Sequence, residues 1–373
     1  MNLKTISAVL AVSLGTAAFT IAQQPARINL GEGEAKARKI LLENAAKQGK
    51  TLSPSAEASA TVTHWNGTIS WGRKNYHFSM LGRNPADGSS TTIIPVYVVP
   101  VKLILPDGSV WDPAAVQVKK GVNAIDATTN SPIFGNTTWM NGGVNLGDTQ
   151  YIDAFQRGSW WKYVSTTAAD YHVLFQPVLQ AEVEWTEPAG FGVQTPGSAK
   201  GGNMADIDIN WFDFQQQNYI ASAGLPGSVL PFFLTYNTCE GQSDGTTESP
   251  CFAGAYHSVT GPRLNQPYLN SPWEGFVPDL FILSHELGET TGDPFTFNNS
   301  PCLADPNMET GDPVQPFGLK VPFAGITYHL EDLVFYDWFA GPYPAPTSVN
   351  QRFTFLGSYA YPCSYTPSLP GHK

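Results

Sequence analysis

The sequence predicts an α+β fold: a mixed sheet packed on one buried helix, with a further β-rich region toward the N-terminus. Three observations carry that expectation. Short β-type runs, among them TTIIPVYVVPVKLIL, VLPFFLTYNT and FAGAYHSV, recur from about Ala60 onward. The stretch PDLFILSHELGETTGDP has helical periodicity with its own start and stop residues. The composition, 12% aromatic and only 14% charged, suits a loop-rich globule with a substantial core.

The chain opens MNLKTISAVLAVSLGTAAFTIAQQ, with Lys4 the lone charge before the small and apolar residues Ile6 to Ile21. Thr20 and Ala22 put small residues where a signal peptidase reads, so 1–22 is expected to be a secretory signal and the protein secreted or periplasmic. Residues 23–59 include GEGEAKARKILLENAAKQGK, a short amphipathic helix with Ile40, Leu41 and Ala45 on one side, followed by Pro54 and small residues. This segment reads as a pro-segment or linker helix. One domain is expected over 60–373, without a repeat at any fixed period.

Within that domain TVTHWNGTISWG and NYHFSMLG alternate like strands. Pro95 and Pro100 make TTIIPVYVVPVKLIL an edge or bulged strand by expectation, because proline cannot donate to a ladder. DTQYIDAFQRGSWWKY reads as helix with Ile152, Phe155 and Trp160 or Trp161 inward, and YHVLFQPVLQAEVEW returns to strand. DIDINWFDFQQQNYIAS begins as strand and continues as helix. VLPFFLTYNT and FAGAYHSV are apolar strands on either side of a cysteine loop. ITYHLEDLVFYDWFAG is a strand feeding a helix that stops at Gly341.

Four cysteines in an exported chain imply two disulfides, for which three pairings exist. The favoured one joins Cys239 to Cys251 across a short loop and Cys302 to Cys363 near the C-terminus. The competing reading, zinc-thiolate binding, lacks any C-x-x-C spacing. A formal charge of −11 with no basic cluster argues against nucleic acid and anionic membrane as partners. No segment after the signal approaches the roughly 18 unbroken apolar residues of a membrane span.

The helix PDLFILSHELGETTGDP can start at Pro278 and must stop near Thr291, ahead of Gly292, Asp293 and Pro294. Leu280, Leu283 and Leu287 form its core stripe, and His285 and Glu289, four residues apart, share the opposite face. A buried histidine beside two carboxylates is costly unless compensated, and a bound cation compensates efficiently. His-Glu-Leu-Gly-Glu falls one residue short of His-Glu-x-x-His, in which the first glutamate takes a proton from zinc-bound water. The alternative is a hydrogen-bonded His/Glu cluster without metal. Downstream, CLADPNMETGDP offers Asp305, Glu309 and Asp312.

SHELGETTGDPF, NMETGDP and TYHLEDL together resemble a group of secreted, largely bacterial proteins of unassigned activity that carry an H-E-x-G-E…D-P…E-x-G-D-P pattern. The likeness runs from about Ile93 to Phe355. More distantly, some thirty residues around the helix resemble zincin metallopeptidases of the gluzincin type. That resemblance implies a zincin-like mixed sheet over an active-site helix, and a metal-dependent hydrolase, most readily a peptidase acting on peptide or another extracellular polymer. It implies His285, Glu289 and Glu309 as metal ligands and Glu286 as general base. Glu309 falls 20 residues past Glu289, close to the gluzincin spacing. Glu289 departs from the zincin pattern, which has histidine there. Two carboxylates neutralise a dication and lower its acidity, so zinc is expected with calcium or manganese as competitors.

His329, beside Tyr328, is a candidate to stabilise an oxyanion, against the plainer reading of a strand-end histidine bonded to backbone. Asp293 and Asp312 precede prolines and either order turns or support the metal. His64, His77, His172 and His257 each neighbour an aromatic and read as structural. A catalytic Ser-His-Asp set built on Ser284 lacks a G-x-S-x-G elbow. Asn66, Asn136 and Asn298 begin N-x-S/T sequons. Ten tryptophans, among them Trp160 and Trp161, support a second class of function: a non-catalytic carbohydrate- or surface-binding protein. A coplanar row of exposed tryptophans favours that reading; a cleft at His285 favours an enzyme.

Overall fold

The structure, a computed structural model, describes residues 30–47, 61–247, 249–261, 265–315, 317–341 and 346–364. The expected signal over 1–22 and the stretch that joins the N-terminal helix to Thr61 lie outside the described residues.

Helices and strands are mixed along the chain. A hairpin of β1 (His64–Trp71) and β2 (Lys74–Leu81) precedes the main sheet. Six strands frame that sheet: β3 (Thr91–Ile104), β4 (His172–Leu179), β5 (Val183–Thr186), β6 (Leu230–Tyr236), β7 (Tyr256–Thr260) and β8 (Gln266–Trp273). Their order is β5, β3, β6, β8, β7, with β4 also beside β3. These six pair in parallel except β7, which runs antiparallel to β8 along one edge, and a seventh, two-residue strand, Val110–Trp111, pairs antiparallel with β3. β6, LPFFLTY, is flanked by parallel neighbours and buried over nearly its whole length, so it reads as continuously apolar, whereas the parallel strands β4 and β5 toward the other edge alternate between more and less buried positions.

One expectation is corrected here. TTIIPVYVVPVKLIL forms the central strand β3 rather than an edge strand, and its prolines fall where no ladder bond is lost. The Val98 carbonyl accepts from Gln180 and the Ile104 carbonyl from Glu187, so even-numbered residues of β3 point their peptide groups toward β4 and β5. Pro100 lies in the gap between the β4 ladder, which ends at Val98, and the β5 ladder, which begins at Val101. Pro95 faces the other way, one residue before the β6 ladder begins at Val96. Each missing donor therefore has no acceptor opposite it.

Five helices position the rest: α1 (Leu30–Lys47), α2 (Tyr151–Ser159), α3 (Ile209–Ser222), α4 (Phe281–Gly292) and α5 (Tyr336–Ala340). α4 is the motif helix. It packs against β8, β7 and a hairpin of β9 (Gly318–Phe323) and β10 (Ile326–Glu331). Leu280, Leu283 and Leu287 enter the main core with Trp273, Leu330 and Leu333, as their spacing predicts. Every residue of α4 is buried, so its polar face is enclosed as well. α1 lies on the edge strand β7 and on α3, with Ala37 and Leu41 buried beside Tyr256 and Tyr268. The Lys36 ammonium sits 3.7 Å over the Phe252 ring, which adds a cation–π contact to this docking. Cys239 is bonded to Cys251 and Cys302 to Cys363, leaving no cysteine for thiolate ligation. α5 stops at Gly341, whose φ of 74° suits glycine.

Candidate metal centre

His285 and Glu289 meet across one helical turn, with Nε2 of the ring 3.2 Å from Oε2 of the carboxylate. The neighbouring side chain Ser284 docks β10 onto the helix: its Oγ donates to the Phe281 carbonyl and accepts the Glu331 N–H at 2.8 Å. That contact places the Glu331 carboxylate 2.9 Å from His285 Nδ1. A loop from Glu309 to Asp312 crosses the same face. The N–H groups of Gly311 and Asp312 donate to Glu289 Oε1 at 3.1 and 3.2 Å, fixing that carboxylate from outside the helix. Asp312 Oδ1 comes within 3.8 Å of His285 Nε2. Gly311 is required by this approach, since a Cβ there would stand 2.2 Å from His285 Nδ1.

A second imidazole enters from the sheet. His257 on β7 has a fully buried side chain, with Nδ1 3.6 Å from Glu286 Oε2 and 3.8 Å from Glu289 Oε2. Its Nε2 lies 3.7 Å from Glu309 Oε2. The other oxygen of Glu309 takes a salt bridge from Arg38 on α1, whose side chain is 9% exposed. Two groups of ligand-type atoms result, His285/Glu289/Asp312 and His257/Glu289/Glu309, each with its atoms within 4.8 Å of one another. A third such group contains Cys239 and Cys251, which are bonded to each other and cannot act as thiolates.

The electrostatics are lopsided. Glu286, Glu289, Asp293, Glu309 and Glu331 are all buried, and Asp312 stands at their margin, with the Arg38 guanidinium and the His257 and His285 imidazoles among the described residues beside them. Burial alone would pull the His285 imidazole down, but Glu289 and Glu331 outweigh it and hold the ring well above the usual histidine range. Burial pushes the Asp293 carboxyl up to about 6, against the opposing pull of His257 and Arg38. A proton on His285 Nε2 and a cation between that nitrogen and its two carboxylates answer the same demand. The spacing fits a cation: two ligands about 2.0–2.1 Å from one tetrahedral zinc stand roughly 3.3 Å apart. The Glu331 contact is the carboxylate–histidine pairing that fixes the ring tautomer at metal sites.

Of the residues singled out from the sequence, His285 and Glu289 come together as expected, and Glu286 lies beside His257. Glu309 joins the cluster through His257 and Arg38 rather than through His285. His329 sits apart from both groups: its Nδ1 is 2.6 Å and its N–H 2.7 Å from the Asp279 carboxylate, at the start of α4. Asp293 orders the turn after α4, accepting the N–H groups of Phe297 and Asn298 at 3.1 Å. His257, Glu331 and Arg38 were not anticipated as site residues. A signal existed for Glu331, because period-two alternation in ITYHLE puts it on the face of β10 opposite Tyr328 and Leu330. None existed for His257, whose strand is buried throughout and shows no alternation. No family model, curated protein or solved structure matches the chain, so the site is read from its own geometry.

Proposed function

We propose that this chain is a secreted metal-dependent hydrolase, a zincin-like peptidase whose cation is held by His285, Glu289 and Asp312 with Glu286 as general base. One observation carries the reading. His285 is tethered through Nδ1 to Glu331 while its Nε2 faces two carboxylates at 3.2 and 3.8 Å. An imidazole held in that way presents a lone pair to a cation. The antiparallel edge strand β7 and the buried helix packed against it support the zincin-like comparison. Asp312 takes the third position in place of Glu309, which is directed to His257.

Zinc is the first choice of cation, because imidazole and carboxylate both suit it, and the oxygen-rich set leaves manganese as its nearest competitor. His285, Glu289 and Asp312 would hold the cation, and two carboxylates would reduce its effective charge and so its power to acidify water relative to a two-histidine site. Glu286 would then carry more of the burden as the general base that accepts a proton from water and returns it to the leaving amine. The carbohydrate-binding alternative receives no support from the tryptophans. All ten are buried or half-buried, and none is exposed.

The test is elemental analysis of the purified protein and its Glu289→Ala variant, with hydrolysis of a peptide mixture followed by mass spectrometry. Metal in the wild type, loss of it in Glu289→Ala, and cleavage lost in a metal-retaining Glu286→Gln variant are expected. Metal-free preparations of wild type after incubation with zinc or manganese would return the cluster to a structural role.

A further inference from the structure

We infer that α1 is an autoinhibitory cover over the centre, held there by Arg38, and that its withdrawal admits the cation and the polymer substrate. This rests on the metal reading above and adds the regulation of that site. The first argument is enclosure. The side chains of His257, His285, Glu286, Glu289 and Glu309 are at most 3% exposed. A polymer cannot reach a general base enclosed to that degree, so hydrolysis requires an element to move. α4, β7, β10 and the loop of residues 309–312 carry the cluster themselves and cannot withdraw without dismantling it. α1 can, because it lies outside them, on β7, α3 and the turn Asp312–Val314.

The second argument is the character of the docking face. Among the described side chains of α1, Gly33, Ala37, Arg38 and Leu41 are buried, and Ile40 and Ala45 are half-buried. Leu41 is the one large apolar group of the buried four, so little hydrophobic area holds the helix in place. Shape and polar contacts do the rest. A Cβ on Gly33 would stand 1.7 Å from the Phe252 carbonyl oxygen, and Asn44 Nδ2 donates to Asn210 Oδ1 at 2.8 Å. Such a face suits a helix that docks and comes off again.

Charge supplies the third argument. Arg38 carries a guanidinium from outside into a group of buried carboxylates and pairs there with Glu309. A guanidinium and a dication relieve the same excess of negative charge, so each lowers the demand for the other. Helix docking and cation binding therefore oppose one another, and linkage requires that each weaken the other by the same factor. On release the guanidinium returns to water while Glu309 stays with the cluster. The pull on a cation rises as the centre opens.

The test uses the full chain with a protease recognition sequence in place of residues 53–58, either intact or cut in excess Zn2+, which should release the helix. A peptide of residues 30–47 added to the cut chain should lower its Zn2+ affinity by about fivefold or more, and Zn2+ should weaken the peptide by the same factor. The Arg38→Gln peptide should bind about tenfold more weakly or worse and leave Zn2+ affinity unchanged. In the intact chain Gly33→Ala, which lifts the helix without touching the cluster, should speed the loss of Zn2+ to a chelator and raise peptide hydrolysis. A helix that excess Zn2+ leaves in place, or equal chelator rates in intact, cut and Gly33→Ala chains, overturns the inference and spares the proposed function. No Zn2+ uptake in any form removes the proposed function. The cover is then decided by hydrogen exchange over Phe281–Gly292, which rises in Gly33→Ala if α1 seals the centre; unchanged exchange overturns that too.

Discussion

His285 Nδ1 lies 2.9 Å from Glu331 Oε2, and the strand that carries the glutamate is pinned to the helix that carries the histidine by Ser284. The imidazole therefore has one nitrogen committed to a buried carboxylate and the other turned into the cluster. Replacing Glu331 with glutamine keeps an acceptor for Nδ1–H but removes the charge that makes the ring a stronger donor to a cation. Glu331→Gln should weaken cation binding by about 10- to 100-fold. Competition against a chromogenic chelator measures it, with circular dichroism confirming the fold. Unchanged affinity would mean that Glu331 serves only to hold β10 on α4.

Gly311 makes a sharper test of whether the crossing loop builds the site. Its backbone is helical, with φ −91° and ψ −43°, so alanine is conformationally acceptable there. The obstacle is space alone: an added Cβ would stand 2.2 Å from His285 Nδ1. Gly311→Ala should displace the ring or lift the loop. Either result separates Asp312 and the Gly311 N–H from their partners and lowers cation affinity at least tenfold. Titration calorimetry with Zn2+ reads this directly. A variant that binds as tightly as wild type would show that the loop is not part of the coordination shell.

How far the sequence discloses this site follows from the range of each interaction. His285 and Glu289 are four residues apart on one helix, so helical geometry alone brings them together, and Leu280, Leu283 and Leu287 orient that helix. Glu331 was legible from strand alternation, although attention falls on His329, two positions earlier on the same face. His329 instead pairs with Asp279 at the helix start, a contact set by how the hairpin of β9 and β10 lies across α4. His257 and Arg38 depend on which strand becomes the sheet edge and on where α1 docks. Both are long-range outcomes with no local pattern. The same limit explains the prolines of β3, whose placement is harmless only because β4 stops and β5 starts at particular residues.

Asp293 gives the centre a defined response to pH. Burial raises its pKa from 3.8 to about 6. Because the folded value exceeds the unfolded one, the native state holds a proton between about pH 4 and 6 that the unfolded chain has released. Its contribution to stability is therefore present at the acid end and is lost as pH rises through that window, by an amount on the order of 2–3 kcal/mol. Asp293→Asn abolishes the titration and retains an acceptor for the N–H groups of Phe297 and Asn298. In chelator-treated protein, the variant should match wild type near pH 4 and melt a few degrees higher at pH 7. A wild type that gains on the variant with rising pH would contradict burial as the cause.

Arg38 links the N-terminal helix to the cluster through Glu309, with both side chains buried. Breaking such a pair by removing one member usually costs about 3–5 kcal/mol, because the remaining charge stays in a poorly solvated place. Arg38→Gln should therefore destabilise the chelator-treated protein by about 3 kcal/mol in denaturant titration. Glu309→Gln added to it should restore most of the loss, since both charges are then gone. A divalent cation should rescue the single variant more than it stabilises wild type, because it replaces the lost positive charge. α1 could instead peel away and let water reach Glu309, and hydrogen exchange distinguishes the two cases. Protection over Ala37 to Leu41 that survives in Arg38→Gln, together with rescue by Mn2+, would identify the guanidinium as a charge partner of the centre. Loss of that protection without rescue would make Arg38 an anchor for the helix and nothing more.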